Sequence, residues 1–150
     1  MLELNEVLVP VDLSAASRAT FDRAQTLVTG ENPVIILLYV IDPSLVNALS
    51  NAGLGSPAEV ARQLKAKAQD EMARMAESAG ALEVTQVVSE GIPFYEISRH
   101  ADEFAVDAVV IGKTGSRDVR EALFFGSTAE KVVRVCRQPV IVLSDSGREA

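Results

Sequence analysis

The sequence predicts an α/β protein: a single, doubly wound, five-stranded parallel sheet with helices on both faces. Two observations carry this. Five short apolar runs alternate with segments of helical period, and most of the runs are too continuous for strands with one wet face, so they read as buried parallel strands. At 150 residues and 48% hydrophobic, the chain is long enough for one well-buried core and too short for two full domains. Residues 1–150 are therefore treated as one domain.

The expected strands are Val7 to Val11, Ile35 to Ile41, Val84 to Val88, Ala108 to Ile111 and Val140 to Leu143, rich in β-branched residues that suit a pleated surface. The third carries Thr85 and Gln86 and reads as an edge strand. Between the first two, Ala15 to Val28 places Ala16, Thr20, Ala24, Leu27 and Val28 on one helical face, with Gly30 positioned to end the helix. Asp42 to Gly55 reads as a long irregular connection, a surface loop or flap rich in Pro, Ser, Asn and Gly. Ser56-Pro-Ala-Glu59 has the form of a capping box with proline at the first helical position, opening a helix to about Ala79. Its stripe of Val60, Leu64, Ala68, Met72, Met75 and Ala76 is expected to pack into the core. Pro93 starts a helix that turns Ile97, Ala101 and Phe104 inward, and Ser127-Thr-Ala-Glu130 repeats the capping-box pattern at the last helix.

Ligands of such sheets sit beyond the carboxyl ends of the strands, where the winding changes direction. Two loops have the chemistry for this: Pro10-Val-Asp-Leu-Ser14 after the first strand, and Gly112 to Gly126 after the fourth. In the second, Gly112, Gly115 and Gly126 break an apolar strand into a loop and then open a helix. Glycines let a backbone approach an anion closely, and a helix N-terminus offers free amide groups and partial positive charge, so the pattern suits a phosphate. An ordinary strand-to-helix loop is the competing reading. Gly112-Lys-Thr114 imitates the end of a Walker loop, but the position where that motif needs a further glycine is Asp107, so it does not read as one.

A formal charge of −7 and a pI near 4.7 disfavour broad binding to nucleic acid or to anionic lipid. No stretch approaches a membrane span, and the start Met-Leu-Glu-Leu-Asn-Glu lacks the basic character of a signal peptide, so a cytoplasmic protein is expected. The lone Cys136 allows no internal disulfide and is expected to pack on the apolar face of the last helix. His100, with no Cys or second His nearby, is expected at the surface. Lys113, Arg117 and Arg120 put positive charge near the proposed phosphate loop. Asp12 and Ser127 each read either as a helix cap or as a ligand contact, the cap being the commoner fate for Ser127. No nucleophile, base and orienting acid occur together, so binding is favoured over covalent catalysis.

Val9-Pro-Val-Asp-Leu-Ser14, Leu38-Tyr-Val-Ile-Asp42, Asp107-Ala-Val-Val-Ile-Gly112 and the tail Gly126 to Leu143 together resemble the nucleotide-binding branch of the universal stress protein family, over nearly all of residues 5–143. The resemblance implies a Rossmann-like fold of the adenine nucleotide alpha hydrolase type, with the first and fourth strands side by side. It also implies that ATP or another adenine nucleotide binds, with magnesium left open. Pro10, Val11, Asp12, Val40 and Ile111 would be among the binding residues, with Val11 and Val40 flanking adenine and Asp12 near the ribose and phosphate end. Gly112, Gly115, Gly126, Ser127 and Thr128 would cradle ribose and phosphates. Ten residues separate Gly115 from Gly126, one more than the family pattern. The resemblance further implies a homodimer joined through the C-terminal strand. The function expected is a nucleotide-binding stress-response regulator without rapid turnover. A nucleotide-free dimeric interaction module of the same fold is the alternative, and slow hydrolysis is a weaker third reading.

Overall fold

The computed structural model describes residues 3–113 and 127–144. It is built from β1 (Glu6–Val11), α1 (Ala15–Ala24), β2 (Val34–Ile41), α2 (Pro43–Asn51), α3 (Pro57–Ser78), β3 (Glu83–Glu90), α4 (Pro93–Glu103), β4 (Ala108–Gly112), α5 (Ser127–Val135) and β5 (Val140–Leu143). The five strands are parallel, in the order β3-β2-β1-β4-β5. β3 is an edge strand and β1 lies beside β4, as expected from the sequence.

Alternation along the strands sorts the core into two layers. Val7, Val9 and Val11 of β1 join Ile35, Leu37, Tyr39 and Ile41 of β2 under α1, α2 and α3, where Phe21, Val46 and Met72 close the layer. Leu8, Ile36, Leu38, Val109 and Ile111 face the other way, under Ile97 and Ala101 of α4 and Ala129 and Val132 of α5. The helices change face where the chain stops winding toward β3 and starts winding toward β5, which is what a constant crossover hand requires.

The helix over Ala15 to Val28 is shorter than its apolar stripe suggested. It ends at Ala24, and Leu27 and Val28 pack against the first layer from the turn beyond it. Gly30 does not cap that helix. Its place is set by space, since a Cβ there would overlap the Asn5 side chain. The expected irregular connection from Asp42 to Gly55 contains a helix instead. Asp42 caps α2 by accepting the Ser44 amide at 2.9 Å, proline follows at the first helical position, and Val46 is buried while Leu49 packs partly beneath. The cap, the proline and the spacing of Val46 and Leu49 were the local signals for it. The Ser56 capping box is present: the Glu59 amide donates to Ser56 Oγ at 3.2 Å and the Ser56 amide to Glu59 Oε1 at 2.9 Å. The bond from the Ser56 amide, helped by the Ser56 hydroxyl, holds the Glu59 carboxyl below its ordinary range.

His100 is buried, not at the surface. It shares the inward face of α4 with Glu96, Ile97 and Ala101. Its Nδ1 lies 2.9 Å from the Glu96 carbonyl, which can only accept, so Nδ1 carries the proton. The ring stacks on Phe104 at a centroid distance of 6.2 Å. A helix face can bury such a residue when its polar nitrogen is met by the backbone one turn earlier. Cys136 follows α5, partly buried against the second layer, and burial pushes its thiol up.

Candidate functional site

At their amino ends β1 and β4 are fastened together. Asp107 Oδ2 accepts the amides of Asn5 and Glu6 at 2.8 and 3.0 Å, and the Asp107 amide donates to the Glu6 carbonyl at 2.7 Å. The residue that denied Gly112-Lys-Thr114 a Walker reading is thus a strand clasp. The ladder then runs through Val7↔Ala108 and Leu8↔Val109 and stops, whereas β1 stays paired with β2 as far as Val11↔Tyr39. Pro10, which has no N–H to give the ladder, ends that pairing, and the carboxyl ends of the two strands stand where the winding reverses, which is where sheets of this type open a crevice.

One lip of that crevice is the loop after β1. Asp12 is exposed, and its Oδ1 accepts from the Ser14 amide at 3.0 Å, Ser14 Oγ at 2.5 Å and Ser17 Oγ at 2.7 Å. Ser14, not Asp12, caps α1, accepting the Ser17 amide at 3.1 Å. Asp12 is thereby held by the helix start without being spent on capping it. Between them Leu13 takes φ = +68°, a conformation that a branched residue holds only where its surroundings enforce it. The Tyr39 hydroxyl is pushed up, chiefly by burial and then by the charges of Asp12 and Asp42.

The other lip is the end of β4. Gly112 pairs with Leu143, and the Lys113 amide donates to the Leu143 carbonyl at 2.7 Å, which ties the exit of β4 to the end of β5. Of the glycine set expected here, Gly115 and Gly126 lie outside the described residues, as do Thr114, Arg117, Arg120 and the Ser127 side chain.

The layers divide the remaining site residues. Val40 and Ile111 belong to the second layer, and alternation from Leu8 puts Pro10 on the same face. Thr128, partly buried, precedes Ala129 of that layer at the start of α5. Val11, expected to flank the base together with Val40, buries its side chain in the opposite layer. Among the described residues no group of three or more His, Cys, Asp and Glu side chains could hold a metal ion, and no helix is long and apolar enough to cross a membrane.

A parallel sheet in the order β3-β2-β1-β4-β5 with helices on both faces defines a doubly wound α/β protein. The Universal stress protein family model matches residues 3–144, and the chain belongs to that family. It is 28% identical over 152 residues to the universal stress protein MJ0577 of Methanocaldococcus jannaschii, an alignment covering 92% of this chain and 93% of the relative. The solved structure of MJ0577 superposes with a TM-score of 0.81 at 25% identity, over 96% of this chain and 98% of that one. UspA from Lactobacillus plantarum gives 0.79 at 28% identity, over 94% and 98%. A universal stress protein in complex with cAMP shares the fold, with a TM-score of 0.63 at 24% identity over 96% and 99%.

Proposed function

We propose that this chain binds an adenine nucleotide, ATP or a relative of it, in the crevice between the carboxyl ends of β1 and β4, and acts in the cytoplasm as a regulatory binding protein without rapid turnover. The observation that carries the reading is that Asp12, braced by Ser14 and Ser17, follows the end of β1 while Gly112 ends the adjoining β4. On the adjoining layer Val40 and Ile111 supply apolar walls for a base, with Pro10 on the same face. Thr128 stands at an α5 N-terminus whose free amides and partial charge suit phosphate. Pro10, Val11 by its backbone, Asp12, Val40, Ile111, Gly112, Gly115, Gly126, Ser127 and Thr128 form the proposed contact set. The family relative solved with cAMP supports an adenine nucleotide as the ligand class.

Thermal melting tests the reading directly. A ligand bound only to the native state raises stability by RT ln(1 + [L]/Kd), about 2.7 kcal/mol at a hundredfold excess over Kd. Nucleotide-free protein should melt higher with ATP, ADP, AMP or cyclic AMP. Gly115→Val and Gly126→Val should reduce that shift more than they reduce the melting temperature itself, since a β-branched side chain obstructs close backbone approach. No shift with any of the four nucleotides rejects the proposal.

The second reading is a nucleotide-free dimeric module, favoured by the extra residue between Gly115 and Gly126. Both readings include a homodimer through β5. Among the described residues that strand has β4 on one side only, and Val140, Ile141, Val142 and Leu143 are all partly exposed.

A further inference from the structure

Ser89 stands at the carboxyl end of β3, in register with Val40 of β2. Residues paired in a parallel ladder point to the same face, about 4.8 Å apart, so Ser89 extends the second-layer row containing Val40. Its neighbour two residues earlier, Val87, packs in that same layer. Among the described residues, Ser89 Oγ is the one buried side-chain nitrogen or oxygen atom without a hydrogen-bond partner. A sealed hydroxyl with no partner is disfavoured unless something else satisfies it.

The nearby Glu96 does not do so. Its carboxylate is taken by Arg99, with Nη2 to Oε1 at 2.8 Å, and its side chain lies over Gly91, where a Cβ would come within 2.9 Å of Glu96 Cγ. The Ser89 hydroxyl is close enough to favour the charged form of Glu96 but does not meet it with hydrogen-bond geometry. Ser89 as a whole is partly exposed. A χ1 rotation between staggered wells moves its hydroxyl without moving the strand.

We propose that Ser89 is a base-reading residue of the nucleotide site: its hydroxyl turns toward Val40 and hydrogen-bonds the polar edge of the purine lying against that valine. This rests on the nucleotide reading above and adds a residue and a role to it. A hydroxyl both donates and accepts, so it matches an edge that carries ring nitrogens and an amino group. The bond is absent without ligand, so removing the hydroxyl does not weaken the empty protein.

The test compares wild type with Ser89→Ala, using ATP and a ribose 5-triphosphate that carries no base as probes. The variant should melt no lower than wild type when empty, bind ATP about three- to tenfold more weakly, and bind the base-free probe with unchanged affinity. Equal ATP affinity in the two proteins overturns the assignment. So does an equal proportional loss for both probes, which would mark Ser89 as structural. If wild type itself binds no ATP, the nucleotide reading fails first, and that result is distinct from either of the others.

Discussion

Ser17 and Asp12 hold each other twice: the Asp12 amide donates to Ser17 Oγ at 2.8 Å, and the same hydroxyl donates to Asp12 Oδ1 at 2.7 Å. The exchange fastens the loop after β1 to the first turn of α1 and aims an exposed carboxylate at the end of the sheet. Replacing Ser17 by Ala removes both bonds, and at an exposed site the cost should be about 1 kcal/mol. Urea unfolding should show that loss. Nucleotide affinity should fall as well, because Asp12 loses part of its brace. Unchanged affinity in a variant that has lost stability would separate Asp12 from ligand binding.

Gly91 should tolerate no side chain. Its φ of +149° lies where L-residues are strained, and an added Cβ would press on Glu96 Cγ. Its amide also donates to the Ile41 carbonyl at 3.0 Å, so the backbone cannot readily move away. Gly91→Ala should cost about 1–3 kcal/mol, read as a lower urea midpoint at unchanged slope. Adding Glu96→Ala should recover part of the loss. No recovery would assign the whole effect to the dihedral.

Glu96 gives a pH signature. Its hydrogen bond from Arg99 holds the carboxyl below the ordinary range in the folded chain, against the opposing effect of burial. The unfolded state therefore takes up the proton first as pH falls. The stabilisation is complete above the unfolded value of about 4.3 and is lost as pH drops through the lower folded value. Because Arg99 is 43% exposed, solvent screening keeps the effect modest. The stability difference between wild type and Glu96→Gln, measured by urea unfolding, should be flat near neutrality and shrink in acid. A difference that does not change with pH would contradict the pairing.

The exposed edge of β5 predicts assembly. Unpaired strand edges invite pairing, and an isologous dimer removes the edge from both copies. Wild type should run as a dimer in light scattering. Val142→Pro, which removes a backbone donor, should run as a monomer with its far-ultraviolet dichroism retained. A wild type that stays monomeric at high micromolar concentration rejects the dimer.

The strands and most helices were legible from local pattern. A short continuous apolar run rich in β-branched residues, such as Ile35 to Ile41, reads as a strand buried on both sides, and Ser56 with Glu59 marks a helix start whatever surrounds it. Thr85 and Gln86 located the edge because a polar residue inside a strand needs a face that water can reach. Asp12 and Gly112 were legible as site candidates for a similar reason: each stands where a run of apolar residues stops. α2 was masked by its composition, since Ser, Asn and Gly around one buried valine resemble a loop until Asp42 and Pro43 are read as a cap.

Tertiary structure decided the rest, because sequence period reports which residues share a face and not what comes to cover that face. Only packing put His100 inside, with its nitrogen met by the Glu96 carbonyl. Only the register of three strands set Val11 and Val40 in opposite layers and brought Ser89 beside Val40. The placing of β1 beside β4, two strands far apart in the chain clasped at one end by Asp107, is likewise a tertiary property. The pattern of this sequence was enough to specify a two-layered sheet, but which strand ends stand together is set by its non-local pairings.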